Sequence, residues 1–298
     1  MRLPGPDYPA PAKLNLFLHV VGRRADGYHL LQSVFTLIDR CDTIRIRARA
    51  DGAIARVNEV PGVPSDEDLA VRAARALQGA TGTSMGADIE LDKRIPIGGG
   101  LGGGSSDAAT VLLALDRLWG TRMAAADLRV LGAGLGADVP FFLFGESAWV
   151  EGVGERLAPV AVPRRWYAVL VPPVAVPTAE IFAAPELTRD TEPLKMEDFS
   201  ADAAGFLAAD AKTRNDLENA AIARYPAIGE HLAWLRKRAP ARMTGSGGCV
   251  FAAFESREAA QRVMDELPEA MHGFVARGLE QHPLYQQLQD PHPARERP

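Results

Sequence analysis

The 298-residue sequence predicts an α+β protein in which antiparallel-looking strands come early and helices later. The segment KLNLFLHV (13–20) alternates, with Leu14, Leu16, Leu18 and Val20 on one face and Lys13, Asn15, Phe17 and His19 on the other, the period of a strand. Beyond a glycine-rich stretch, apolar residues recur at Ala108, Val111, Leu112, Leu115, Leu118 and Trp119, one helical stripe. The regular strand–helix–strand alternation of a parallel sheet is missing.

The elements follow in order. GRRADGYHLL ends the first strand with an Asp-Gly turn signal. SVFTLI (33–38) and DTIRIRAR (42–49) read as two further strands, the second alternating Ile44, Ile46 and Ala48 against Arg45, Arg47 and Arg49. DEDLAVRAARAL (66–77) reads as a helix and ADIEL (87–91) as a short strand. AADLRVLGAGL (125–135) is expected to be helical, and PFFLFG (140–145) and SAWVEG (147–152) to be strands. Proline density then rises and a fresh apolar strand starts at Trp166, which places a domain boundary within 159–163 and divides the chain into 1–160 and 161–298. A proline-rich segment (172–185) leads to helices from Asn215 onward, where NDLE (215–218) fits a capping box with Asn215 as N-cap and Glu218 reaching back. ARMTGSGGCVFAAF reads as strand, glycine turn, strand, and the tail QDPHPARERP as a polar, frayed end.

Composition narrows the function classes. A net charge of −5 offers no basic excess for nucleic acid. Cys41 and Cys249 are far apart, which argues against a disulfide framework or a zinc site. MRLPGPDYPAPAK lacks the apolar centre of a signal peptide, and no apolar run is long enough to span a membrane. The expectation is a cytoplasmic protein with a small-molecule partner, no nucleic acid and no membrane, working as a monomer or weak homodimer.

IGGGLGGGSSDAA (97–109) carries the chemistry. A flexible linker would not abut so strong a helix start, with Ser105 or Ser106 as N-cap and Asp107 in the first turn. Gly98, Gly100 and Gly103 satisfy G-x-G-x-x-G, but Pro96 and the charged DKR before it replace the strand that a dinucleotide fold requires. The P-loop lysine is absent, since Ser105 follows Gly104. A phosphate cradle remains: glycine backbone N–H groups, the helix N-terminus, and side-chain charge from Lys93 and Arg94. Elsewhere, Lys13 and Asn15 point to the same side of one strand. Taken alone, Lys13 reads as a solvated strand-end lysine and Asp138 as a loop-capping aspartate. Tyr28 and His29 flank a turn, His29 open to a purely structural reading, and TGSGG (244–248) to that of a tight hairpin turn.

Together, PAKLNLFLHVVGRRADGYHLLQSVF, IPIGGGLGGGSSDAATVLLAL, LGADVPFFLFG and MTGSGGCVF resemble the GHMP small-molecule kinases, in order from about Pro11 to about Gly278. PAKLNLFL followed by RADGYH resembles the branch whose acceptor is a diphosphocytidyl-linked methylerythritol, in non-mevalonate isoprenoid synthesis. The resemblance implies an N-terminal ATP-binding domain, a C-terminal α/β sandwich-like domain and a site in the cleft between them, with ATP and Mg²⁺. It implies a catalytic lysine at Lys13 and a catalytic aspartate at Asp138. Its phosphate loop falls on Pro96, Ile97, Gly98, Gly99, Gly100, Leu101, Gly102, Gly103, Gly104, Ser105 and Ser106, with Lys93 beside it and an adenine contact at Asp68. It implies acceptor contacts at Asn15, Tyr28, His29, Phe35, Thr178 and Phe182. Glu67-Asp68-Leu69 departs from the family's DNL, because an ionised Asp only accepts hydrogen bonds. The family's Mg²⁺ finds no dedicated protein carboxylate, Ser106 being an extra ligand. The alternatives are a kinase for another alcohol, of the homoserine or mevalonate type, and a nucleotide-binding protein without catalysis.

Overall fold

Strand β1 (Tyr8–Arg23) and strand β2 (His29–Arg49) form a long antiparallel hairpin in the computed structural model, which describes residues 2–201, 205–207 and 212–289. The Asp-Gly turn closes it: Gly27 sits at φ +92° and the Tyr28 amide donates to Asp26 Oδ1 at 3.2 Å. SVFTLI and DTIRIRAR are therefore one strand, not two. The register jumps from Pro11–Cys41 to Ala12–Ile38, so Asp39 and Arg40 bulge out and the polar interruption leaves the ladder intact.

β1 is buried on both faces. Lys13 and Asn15 are as enclosed as Leu14 and Leu16, so its alternation separates chemistry from core rather than water from core. A second register shift between Asn15 and Phe17 reverses the phase, and Phe17 joins the core cluster of Leu14 and Leu16 instead of following Lys13's face.

Strand β3 (Ile54–Arg56), too short for any periodicity to reveal, runs parallel to β4 (Gly86–Asp92). Helix α1 (Leu69–Thr81) lies between them in sequence. Helix α2 (Gly103–Trp119) starts earlier than its serines: Gly102, at φ +73°, is its N-cap. Left-handed glycines turn the chain into the helix first, so neither Ser105 nor Ser106 caps it, and Asp107 lies past the first turn. Helix α3 (Ala125–Ala133) leads to α4 (Val139–Phe144), where a strand was expected. Pro140 in its first turn and Gly145 at φ +83° after it bound a helix buried all round, whose uninterrupted apolar run carries no period to separate it from a buried strand.

Strands β5 (Ala148–Gly152), β6 (Arg156–Pro159) and β7 (Trp166–Leu170) follow, then the short helices α5 (Thr178–Phe182) and α6 (Met196–Ala201). Helices α7 (Glu218–Arg224) and α8 (Pro226–Arg236) precede the hairpin of β8 (Ala241–Met243) and β9 (Val250–Phe254). Helix α9 (Arg257–Asp265), β10 (Gly273–Leu279) and α10 (Pro283–Gln289) close the described chain; the tail from residue 290 lies outside it. The capping box at NDLE does not form. Asn215 Oδ1 accepts from the Leu217 amide, but its Nδ2 donates to the carbonyls of Met243 and Gly245, and Glu218 turns to Arg236 and the Met243 amide. The unpaired groups beside β8 outcompete the local cap.

The sheet runs β3–β4–β2–β10–β7–β9–β8, with β1 and β5 also on β2 and β6 on β5. Apart from β3–β4 the pairings are antiparallel, and helices lie on the sheet without regular alternation, so the fold is α+β as expected. One core packs α1, α2 and α4 on β2 and β4; another packs α7 and α8 on β8 and β9. β10 pairs with both β7 and β2 and so ties the two regions together. Among the described residues no helix is long and apolar enough to cross a membrane.

Candidate active site

A cleft of about 900 Å³ is lined by Lys13, Asn15, Tyr28, His29, Phe35, Asp68, Lys93, Pro96 through Ser105, Asp138, Thr178 and Phe182. Of the residues expected to serve phosphate, nucleotide or acceptor, Arg94 and Ser106 are outside the lining: Arg94 pairs with Asp92 at 3.0 Å, and Ser106 is fully buried, its Oγ without a partner among the described residues.

The glycine loop is held by its carbonyls. Val176 N donates to Gly98 O, Cys249 N to Gly99 O and Lys13 N to Leu101 O, whereas the amides of residues 98–104 donate to no protein acceptor among the described residues. That leaves a row of N–H groups ending at the N-terminus of α2, the arrangement that binds phosphate. Glycine is required for two reasons. Gly98, Gly100 and Gly102 have φ of +70°, +75° and +73°. A Cβ on Gly100 would also stand 2.4 Å from Thr244 O, so the second glycine turn is packed against the first rather than being only a hairpin turn.

Lys13 reaches the mouth of this loop. Its Nζ donates to Asn15 Oδ1 at 2.5 Å, lies 3.4 Å from Asp138 Oδ2 and stands 4.2 Å from the centre of the Phe35 ring. It is not a solvated strand-end lysine. Asp138 occupies the N-cap position of α4 but makes no capping bond; its carboxylate, a third exposed, faces Lys13 instead. Asn15 is fixed by Ser33 Oγ, which accepts from its Nδ2, and by Thr244 Oγ1, which accepts from its amide. Phe35 is buried beneath Lys13, edge-on to Phe141.

Two expected nucleotide contacts are otherwise engaged. Lys93 Nζ donates to Asp42 and, at 2.5 Å, to Asp107, so its charge is neutralised within the protein rather than free for phosphate. Burial pushes the Asp107 carboxyl up to about 7, helped by Asp42 and opposed by Lys93. Asp68 caps α1 through a bond from Ala70 N and pairs with Arg56 at 2.6 Å, both side chains nearly closed to solvent. Asp42, Arg56 and the pairing of Asp107 with Lys93 were missed because each partner is distant in sequence or carries no motif.

At the other end, Tyr28 is exposed, and the His29 ring lies 5.1 Å from that of Phe182 at 32°. Thr178 Oγ1 meets Ser246 Oγ at 2.8 Å, joining α5 to the second glycine turn. Arg189, unsignalled in the sequence, bonds His29 Nε2. Among the described residues no three His, Cys, Asp or Glu side chains cluster to hold a metal.

The family profile for the GHMP kinases N terminal domain matches residues 68–146, and that for GHMP kinases C terminal matches 201–273. The chain is 59% identical over 278 residues to the 4-diphosphocytidyl-2-C-methyl-D-erythritol kinase of Thiobacillus denitrificans, covering 93% of this chain and 97% of that protein. It is 57% identical to the enzyme of the same name from Ralstonia nicotianae, covering 93% and 95%. A crystal structure of 4-(cytidine 5'-diphospho)-2C-methyl-D-erythritol kinase superimposes with a TM-score of 0.80 at 35% identity, over 92% of this chain and 99% of that one. A mevalonate kinase structure, at 15% identity and a TM-score of 0.66 over 92% and 99%, shares the fold.

Proposed function

The chain belongs to the 4-diphosphocytidyl-2-C-methyl-D-erythritol kinases, within the GHMP kinases, and from that premise we propose that it transfers the γ-phosphoryl group of ATP to the 2-hydroxyl of 4-diphosphocytidyl-2-C-methyl-D-erythritol. It is an ATP-dependent phosphotransferase of the non-mevalonate isoprenoid route. The observation that carries the residue-level reading is Lys13 Nζ standing 3.4 Å from Asp138 Oδ2 beside a loop whose amides are unengaged.

In this reading the amides of the loop hold the ATP phosphates and Asp138 takes the proton of the attacking hydroxyl. Lys13 orients Asp138 and offsets charge on the moving phosphoryl group. Asn15, fixed from two sides, holds Lys13 in place. The uncapped carboxylate supports the role of Asp138, since a capping aspartate would be turned toward its own helix amides. Ser106 Oγ, buried without a partner among the described residues, is the side-chain atom that would hold Mg²⁺, and the ion would supply positive charge to offset that of the phosphates. Val60, Val63, Leu69 and Leu91 give the adenine an apolar seat, which Asp68 and Lys93 frame from within their ion pairs. Tyr28, His29 and Phe182 grip the cytosine, with Thr178 and Phe35 lining the path between the ends. The two domains meet across this cleft, and we place their boundary at 160/161.

Steady-state assays with ATP and a panel of acceptors test this. The diphosphocytidyl acceptor is expected to be phosphorylated efficiently, and the same sugar alcohol without its cytidine to show a lower kcat as well as a higher KM, because binding energy from the base orients the distant hydroxyl. Comparable kcat/KM for the truncated acceptor, or efficient use of homoserine or mevalonate, would overturn the reading.

A further inference from the structure

We propose that Arg189 is a positioning residue that sets the hydrogen-bonding polarity of His29, making its Nδ1 a donor at the acceptor end of the cleft. The inference rests on the diphosphocytidyl reading above and deepens it. Arg189 lies in the segment between α5 and α6 and uses its whole fork. Nη1 donates to Leu187 O at 2.9 Å, and Nη2 to Ala184 O at 2.6 Å and Phe182 O at 3.3 Å. Nε crosses to the start of β2 and donates to His29 Nε2 at 3.0 Å. Three bonds thus fasten the chain that follows the Phe182 ring, and the fourth fastens the ring facing it.

A guanidinium has donors and no acceptor, so His29 Nε2 must accept. In a neutral imidazole the proton then resides on Nδ1. The imidazole is kept neutral: partial burial and the charges of Arg189 and Arg23 hold its pKa below the ordinary histidine value. Nδ1 has no protein partner among the described residues, and the ring lines the cleft against Phe182. His29 therefore offers an N–H to whatever flat group enters there. Cytosine presents acceptors at N3 and O2, whereas uracil carries a proton on N3. A fixed donor favours the first and leaves the second with two opposed protons, so the discrimination includes a repulsive element.

Histidine-selective ¹⁵N NMR of the free enzyme and acceptor kinetics test the proposal together. In the unmodified protein His29 is expected in the Nδ1–H form. In Arg189→Leu and Arg189→Met it is expected to shift to the Nε2–H form that free imidazoles favour. The KM for the diphosphocytidyl acceptor should rise roughly ten-fold, the scale of one hydrogen bond, with the ATP KM unchanged, and the preference over the diphosphouridyl analogue should narrow. His29→Phe should add little to Arg189→Met, because the second residue acts through the first. An Nε2–H ring in the unmodified protein, an unchanged acceptor KM in both variants, or additive losses in the double variant would overturn it. Failure of the unmodified enzyme to phosphorylate the diphosphocytidyl acceptor would strike the functional reading instead, and the NMR form of His29 would still judge the Arg189 contact.

Discussion

Lys13 is 3% exposed and Tyr28 is 64% exposed, although one hairpin carries both toward the same cleft. Around Lys13 the neighbours are cross-tied: Asn15 to Ser33 and Thr244, the loop to Lys13, Cys249 and Val176, and Gly245 close against both Asn15 and Gly100. Around Tyr28 the turn stands open, with Arg189 holding only His29 and the chain behind Phe182. In the proposed function the contrast follows from what each end does. Charge moving between phosphate and hydroxyl is stabilised by dipoles already in place, so that end must be rigid before substrate arrives. A flat base can be gripped after arrival, by rings that close on it, so the recognition end is free to be open.

Substitutions at the two ends should therefore fail differently. Lys13→Met should cut kcat by about 10²–10³, the scale of a lost electrostatic stabiliser, while the melting temperature falls less than in Leu16→Ala, which opens a cavity in the core. A loss of stability equal to that of Leu16→Ala would move Lys13 from the chemistry to the scaffold. Gly100→Val should raise the ATP KM by an order of magnitude or more, since its φ is +75° and its Cβ would meet Thr244 O at 2.4 Å. Gly120→Val, at φ +69° with open space around it, is the matched control and should leave the ATP KM unchanged. Isothermal calorimetry with ATP separates the two. Tyr28→Ala should raise the acceptor KM by about ten-fold, one stacked base, with little effect on stability; an equal effect on ATP would erase the division between the ends.

The smallest expected effect concerns the buried cluster beneath the loop. Asp107 has its folded pKa raised to about 7, above its unfolded value, so the folded protein holds a proton there that the unfolded chain has released. Its contribution is therefore most favourable below the unfolded carboxylate range and is lost as pH rises toward 7. Asp107→Asn keeps the shape and removes that loss. Its melting temperature should exceed that of the unmodified protein at pH 8, with the gap closing toward pH 5. A gap independent of pH would mean that Lys93 keeps Asp107 ionised throughout.

Legibility in the sequence followed locality. The β1 alternation, the glycine loop and the helix stripe of α2 were readable because strand period and glycine content act over a few neighbours, whereas Lys13 and Asp138 were singled out as a pair by the family resemblance alone. Helix α4 was not readable, because a segment buried on every side has no period, and β2 looked like two strands because its bulge concentrates polar residues mid-strand. Arg189, Asn215 and the Asp42–Lys93–Asp107 cluster escaped because their roles lie in partners up to 160 residues away, as with Arg189 and His29. Lys93 and Asp68 show the same limit: the sequence carries no sign that Asp107, Asp42 and Arg56 engage their charges.

The central claim is that the reacting end is preorganised around Lys13 and Asp138, and Asp138→Asn tests it most directly. With saturating ATP and the diphosphocytidyl acceptor, kcat should fall by about 10²–10⁴, the scale of a lost general base, while the ATP dissociation constant measured by calorimetry stays where it was. Phosphorylation at a near-normal rate by the Asn variant would make Asp138 a structural partner of Lys13 and contradict the account.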